Sequence, residues 1–343
     1  MEAYGQTQFT RLLSFAKEPA DNPGTLEGLE KFQRYAITPI GHDYPGSTPA
    51  MWNAVYREFG INAVMMMVVG RPEQAEDILD LFRQDPKYLG GGSGVGFKDE
   101  VVKFLDVLDP LAKAIGSVNL IQKLPDGQLK GWNTDGLGYA ESLAQLLSMK
   151  KEGLAGKKVV MLGAGGTGMS IAFALAEKGS NLVILNRTVE SAITLAERVN
   201  TYVGREACRA GGEDQITQEV KDADVVLNAS SKGERGKLEN YSSLAQATLP
   251  ATKENLEANQ LAAEAVLKTI SESTIISDVV LRKNEMTPLI HSAKERGFQT
   301  LDGMPMVINQ AIKAFVILHG REMKEIGQTE VELAEIMREA VGL

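Results

Sequence analysis

Lys158-Val159-Val160-Met161-Leu162-Gly163-Ala164-Gly165-Gly166-Thr167-Gly168-Met169-Ser170 is the stretch that decides the fold of this chain. Val159 to Leu162 read as a short buried strand, glycines follow at once, and Ile171 to Ala176 continue into a helix rich in small residues. Strand, glycine turn and helix in that order are the context in which a glycine-rich loop binds a dinucleotide. Gly163 permits the tight turn, Gly165 lets the backbone approach a pyrophosphate, and Gly168 or Ala172 lets the helix pack closely on the sheet. With no side chains in the way, the free N–H groups at the helix start can meet the anion, helped by the positive end of the helix dipole.

A second apolar run, Asn181 to Leu185, ends in Asn186-Arg187-Thr188. An acidic residue there would bond the ribose 2′-hydroxyl of NAD, whereas a guanidinium pairs with a 2′-phosphate. Arg187, flanked by Asn186 and Thr188, therefore points to NADP rather than NAD.

At 343 residues the chain is long enough for two domains with their own cores. The hydrophobic and charged fractions, 43% and 24%, are those of an ordinary soluble protein. A net charge of -9 argues against nucleic acid or an anionic membrane as a general partner. Neither a secretory signal in Met1 to Gly24 nor an apolar run long enough to span a bilayer is visible, so the expected compartment is the cytoplasm. The single cysteine, Cys208, excludes an internal disulfide, although Arg205 and Arg209 beside it could lower its pKa. His42, His291 and His319 lack metal-ligand spacing, so no metal site is expected.

Residues 1 to about 34 form a polar preface with one possible amphipathic helix. Tyr35 to Ile40 and Asn62 to Val69 read as strands, the latter carrying Met65-Met66-Met67 as core packing. Ala50 to Phe59 and Pro72 to Gln84 read as helices, with Thr48 as N-cap and Pro49 as the first helical residue of the former. The glycine run Leu89 to Phe97 delivers Lys98 to the head of an expected helix, Asp99 to Leu108. Its leading acids, Asp99 and Glu100, argue against phosphate there. Ile115 to Leu124 and Gln128 to Trp132 pair across Pro125-Asp126-Gly127, and Asn133 to Gly136 cap a helix to Met149. Beyond Thr188, a helix to Val203 and strands at Asp224 to Asn228, Ile275 to Leu281 and Phe298 to Leu301 extend the nucleotide domain. A polar segment, Glu234 to Glu272, interrupts it and contains a helix from Asn255. Asp302 to Pro305 break the chain before a helix from Met306 to His319 and a charged C-terminal helix.

In order along the chain stand Ile115 to Asn119, Gly131-Trp132-Asn133-Thr134-Asp135-Gly136, the Gly163 to Gly168 loop, Asn186-Arg187-Thr188, Asn228-Ala229-Ser230-Ser231, Thr287-Pro288-Leu289, Asp302-Gly303 and Gln310-Ala311. This succession resembles the shikimate and quinate dehydrogenase family from about Ile37 to Gly320. The resemblance implies an α/β protein in two domains. An N-terminal catalytic domain with a mixed sheet, residues 1–148, is completed by 304–343 as the last helices return to it; residues 149–303 form a Rossmann-like NADP-binding domain. It implies reversible hydride transfer between NADP(H) and a carbinol carbon of a cyclic polyhydroxy carboxylate, with 3-dehydroshikimate and shikimate as the first pair to test. Residue by residue, it places an acid–base pair on Lys98 and Asp135, substrate hydroxyl contacts on Asn119 and Gln310, and the carboxylate grip on Thr48 with Ser47 beside it. Asn133 supports from behind. The cofactor falls to Gly163 through Gly168, Asn186, Arg187, Thr188, Ser230 and Gly303. An amine tuned by a carboxylate suits this chemistry, because loss of hydride requires loss of a proton from the same hydroxyl.

Several positions depart from the family pattern. Gly46-Ser47-Thr48-Pro49 stands for Ser-x-Ser-Pro, which removes the first hydroxyl and leaves Ser47 out of register. Gly92 to Gly96 stand for Asn-Val-Thr-x-Pro before the lysine, Leu281 and Lys283 replace a tyrosine and a proline, and Ser191 replaces a second basic residue. These changes spare the cofactor loop and the catalytic pair while altering substrate contacts. Quinate, an amino-substituted analogue, or a non-catalytic NADP-binding regulatory role stay open, as monomer or homodimer.

Overall fold

The computed structural model describes residues 31–42, 46–149, 152–282 and 285–343. The helix expected within the first thirty residues, the centre of the loop after His42, and Lys283 lie outside the described residues. The chain divides into two compact units, one running to Thr134 and resuming at Ile308–Leu343, the other Asp135–Val307. The first break thus falls at Thr134 rather than near residue 148, and the helix Asp135–Ser148 joins the second unit.

The first unit is built on a mixed six-stranded sheet in the order β2-β1-β3-β5-β6-β4. Its strands are β1 (Arg34–Ile40), β2 (Ala63–Val69), β3 (Tyr88–Gly92), β4 (Val107–Leu108), β5 (Leu120–Lys123) and β6 (Leu129–Trp132). Apart from Arg34 and Val69 at the ends, the parallel pair β1 and β2 is buried, which is why both read as largely continuous apolar runs rather than alternating ones. Met65, Met66 and Met67 are all buried. β2 forms one edge of the sheet, and at that edge the Asn53 amide, from the helix Thr48–Glu58, donates to the Met65 carbonyl at 2.8 Å and accepts from the Met65 N–H at 2.7 Å. One side chain thereby satisfies the two backbone groups that a further strand would take.

Strand β3 lies inside the glycine run, where the residues alone suggest a loop. A Cβ on Gly91 would sit 2.1 Å from the Ile37 carbonyl oxygen, and its φ of +153° is one that side-chain-bearing residues rarely adopt. Glycine is what lets this strand enter between β1 and β5. The helix expected over Asp99 to Leu108 does not form. Turns lead into a short 3₁₀ segment, Val101–Phe104, and the chain goes straight into β4. At the helix Thr48–Glu58 the N-cap position is Ser47 rather than Thr48, with no side-chain cap bond.

In the first unit His319, 1% exposed, bonds Tyr56 Oη through Nε2 at 3.0 Å and Glu322 through Nδ1 at 3.1 Å. Burial holds the imidazole below its ordinary 6.5, with the Glu322 contact opposing, while the His319 hydrogen bond and then Arg34 hold Glu322 down at about 2. The unfolded chain therefore takes up protons that the native state refuses, first at the imidazole below pH about 6.5 and then at the carboxylate below about 4.5. Stability is expected to fall as pH drops through this window, and His319→Gln should flatten the upper part of the slope. Tm measured from pH 8 to 4 checks it: equal slopes in both proteins between pH 6.5 and 5 would remove His319 as the cause.

The second unit is a parallel six-stranded sheet in the order β9-β8-β7-β10-β11-β12. The strands are β7 (Lys158–Leu162), β8 (Asn181–Asn186), β9 (Cys208–Gly212), β10 (Val225–Asn228), β11 (Ile275–Asp278) and β12 (Gln299–Leu301). Numbered from β7 this is 3-2-1-4-5-6, the doubly wound order whose crevice lies beyond the strand ends where the sequence reverses, between β7 and β10. Cys208 is buried in β9 and its thiol is pushed up to about 12 by burial, so Arg205 does not make it reactive. The polar segment Glu234 to Glu272 is part of this unit rather than an interruption. Leu244, Ala245, Ala263, Val266, Leu267 and Ile270 pack into the core with Val160 and Val226. The helix Lys253–Leu267 is the connection between β10 and β11. The helix expected from Met306 begins earlier, as Gly303–Glu325, and its residues from Ile308 onward belong to the first unit.

Candidate active site

At the end of β7 the chain turns sharply at Gly163, whose φ is +111° and whose N–H donates to the Leu185 carbonyl at 2.8 Å. A Cβ there would lie 2.7 Å from backbone atoms of Ala229 and Ser230, so the turn presses on the segment after β10. At Gly168 a Cβ would meet the Gly163 carbonyl at 3.0 Å and Ala229 Cβ at 3.2 Å, which fits its expected role in close packing. Gly165 and Gly166 differ: a Cβ on either would touch nothing within 4 Å, and both are exposed together with Thr167. The helix Gly166–Glu177 thus begins with bare backbone at an exposed N-terminus, a surface that fits the pyrophosphate of a dinucleotide. Asn186 ties this loop to the end of β8 by accepting from the Ala164 N–H at 3.3 Å and donating to the Thr188 carbonyl at 2.9 Å. Arg187, Thr188 and Ser191 are exposed beyond it. Gly303 is placed otherwise, buried with its Cβ direction 2.7 Å from the Val279 carbonyl oxygen.

In the first unit the centre is Asn119, 8% exposed. Its Oδ1 accepts from the Thr134 N–H at 2.8 Å, and its Nδ2 donates to Thr134 Oγ1 at 2.9 Å and to Gln310 Oε1 at 3.2 Å. Its backbone is held on both sides, accepting from the Ser93 N–H at 2.8 Å and donating to the Trp132 carbonyl at 3.0 Å. Lys98 is joined to the same strand entry, its carbonyl accepting from the Val118 N–H at 2.8 Å, and Phe97 before it is fully buried as an anchor. Asn133 donates to the Ser117 carbonyl at 3.0 Å. The structure therefore gathers Asn119, Thr134 and Gln310 directly and Lys98 through the backbone. Ser47 and Thr48 stand at the start of their helix, and Asp135 opens the helix after Thr134. Buried amides and hydroxyls that pair with one another form a specific polar surface, because each must keep a partner.

Residue-type reasoning missed Asp278. It closes the apolar strand β11 at 1% exposure, and burial pushes its carboxyl up to about 7 against the hydrogen bonds of Thr287, Val280 and Asn228. The available signal was a carboxylate inside the otherwise mostly apolar stretch Ile275 to Leu281. No group of three or more acidic, histidine or cysteine residues among the described residues could hold a metal ion, and no helix there is long and apolar enough to cross a membrane.

Residues 38–121 match the family description "Shikimate dehydrogenase substrate binding domain" and residues 145–248 match "Shikimate / quinate 5-dehydrogenase". A relative from Methanopyrus kandleri named shikimate dehydrogenase (NADP(+)) is 31% identical over 305 residues, covering 88% of this chain and 93% of its own. Shikimate 5-dehydrogenase from Listeria monocytogenes, solved with shikimate and NAD, aligns at a TM-score of 0.70 and 25% identity, covering 86% of this chain and 96% of that one. Quinate dehydrogenase from Corynebacterium glutamicum, solved with NAD, aligns at 0.67 and 25% identity over 89% and 98%. With a doubly wound sheet, a bare glycine turn and an Asn119-centred network, and with relatives of this identity along nearly its whole length, the chain belongs to the shikimate/quinate dehydrogenase family.

Proposed function

We propose that this protein is an NADP-dependent oxidoreductase that interconverts shikimate, or a close cyclic hydroxy acid, and its keto form. The observation that supports this reading most is the network in which Asn119 bonds Thr134 and Gln310 while its strand entry holds Lys98. The Asn119 and Gln310 amides are the groups that would meet ring hydroxyls, and the backbone of Lys98 is tied to the same strand entry. NADPH, when bound, supplies the hydride. The chain's own work is grip and proton movement. Gly163 through Gly168 would hold the pyrophosphate, with Asn186, Arg187, Thr188, Ser230 and Gly303 as further cofactor contacts and Arg187 facing the 2′-phosphate. In the reducing direction we assign Lys98 as the ammonium that gives a proton to the carbonyl oxygen and Asp135 as its carboxylate partner in that exchange, reversed in oxidation. Asn119 and Gln310 would fix the neighbouring hydroxyls, and Thr48 with Ser47 the carboxylate.

A panel of shikimate, quinate and amino-substituted cyclohexane carboxylates, each with NADP and NAD, tests the assignment. Reduction of NADP with shikimate is expected, and no turnover on any member would sink it. Arg187→Asp should weaken NADPH by about tenfold or more, the loss of a charge-assisted contact, and improve relative use of NAD. An unchanged ratio of kcat/KM for NADP over NAD would remove Arg187 from cofactor choice.

A further inference from the structure

We propose that Asp278 is a positioning residue of the cofactor crevice, holding through Asn228 the segment 228–232 against which Gly163 turns; this rests on the dinucleotide reading above. Asn228 and Asp278 are register partners at the ends of the neighbouring strands β10 and β11, and both are buried. Asp278 Oδ1 accepts from Asn228 Nδ2 at 2.9 Å and from the Val280 N–H at 2.9 Å, and Oδ2 accepts from Thr287 Oγ1 at 2.6 Å. Asn228 Oδ1 in turn accepts from the Ser230 N–H at 3.0 Å and from Ser230 Oγ at 2.7 Å, while Nδ2 also donates to the Lys232 carbonyl at 2.9 Å. All the hydrogen-bonding capacity of the Asn228 amide is used. Turned over, it would set its oxygen against the Lys232 carbonyl and the Asp278 carboxyl, so only one orientation is allowed.

The segment so fixed contains the Ala229–Ser230 peptide that lies under Gly163, at the strand ends where the sheet order reverses. A shift of a few tenths of an ångström there moves the turn that presents the pyrophosphate amides. A side chain chosen for stability alone would continue the apolar strand, since a buried carboxyl is costly to desolvate even when bonded. Local rules broken in this way are expected where a site has to be held in shape.

NADPH titration followed by fluorescence, with Tm in parallel, decides the matter. Asp278→Ala should raise the Kd at least tenfold, and Asp278→Asn, which can still accept from Asn228, should stay within threefold of wild type. Val220→Ala, a core truncation in the same unit, supplies the comparison for a general loss of stability and should bind normally. Asp278→Ala binding within threefold of wild type overturns the proposal. So does Val220→Ala losing as much affinity, or Asp278→Asn binding as poorly as the alanine variant with Tm intact, which would mean that charge and not position matters. Should the alanine variant fail to fold, Asp278→Ser carries the same expectation and the same limits. Wild-type protein that binds no NADPH would sink the dinucleotide reading itself, whereas equal binding by wild type and variants sinks only this inference.

Discussion

Lys98→Ala is expected to lower kcat on shikimate by about a thousandfold, within the range for loss of a general acid–base group, and to leave the Kd for NADPH within threefold. The two readouts separate because different residues carry them. Lys98 hangs from the Val118 strand entry, whereas the surface proposed for the dinucleotide is the exposed start of the helix Gly166–Glu177. Lys98→Arg should be nearly as inactive, because a guanidinium keeps its charge but cannot give up its proton at neutral pH. Steady-state rates beside a fluorescence titration make the measurement. An alanine variant that keeps a tenth or more of wild-type kcat would end the assignment of Lys98 to the proton step.

Gly163→Val should be strongly damaging to the second unit. A side chain at φ +111° costs on the order of 1–2 kcal/mol, and forcing it against backbone adds about 1–3 kcal/mol more. The obstacle is the Ala229–Ser230 peptide at 2.7 Å, which cannot swing aside as a flexible side chain would. A loss of about 2–5 kcal/mol in urea unfolding is expected, together with loss of NADPH binding. Gly166→Ala is the contrast, since its Cβ would meet nothing within 4 Å, and stability should be unchanged while cofactor affinity falls. If Gly163→Val unfolds at the wild-type urea midpoint and still binds NADPH, the tight turn is not what the sheet requires.

The doubly wound half was legible because its rules are local. An apolar run, glycines and small helical residues specify a strand, a turn and close packing without reference to distant chain. The first half was less so. β3 is a strand because Gly91 fits under the Ile37 carbonyl, a fact about a neighbour more than fifty residues away, while glycine itself disfavours strands. Asp99 and Glu100 suggested a helix start, but Lys98 spends its carbonyl on Val118, and only a short 3₁₀ segment follows. The stretch from Glu234 looked like an insertion because its exposed face is polar, yet Leu244, Val266 and Leu267 are core residues. Asn119 and Gln310 were identified as a pair of polar contacts. That Thr134 joins them could not be read from spacing, since the partners lie 15 and 176 residues apart in sequence. Asp278 escaped notice for the same reason: its meaning depends on Asn228 and Thr287 arriving beside it.

The Asn53 amide on Met65 bears on how this protein behaves when crowded. A stray extended peptide, or β2 of another molecule, could template onto that border only by expelling a side chain already bonded there. The apolar run of β2 is the kind of segment that otherwise feeds fibrous growth. One helical asparagine thus serves as a guard against assembly of the wrong kind, independent of whatever the enzyme does with its substrate.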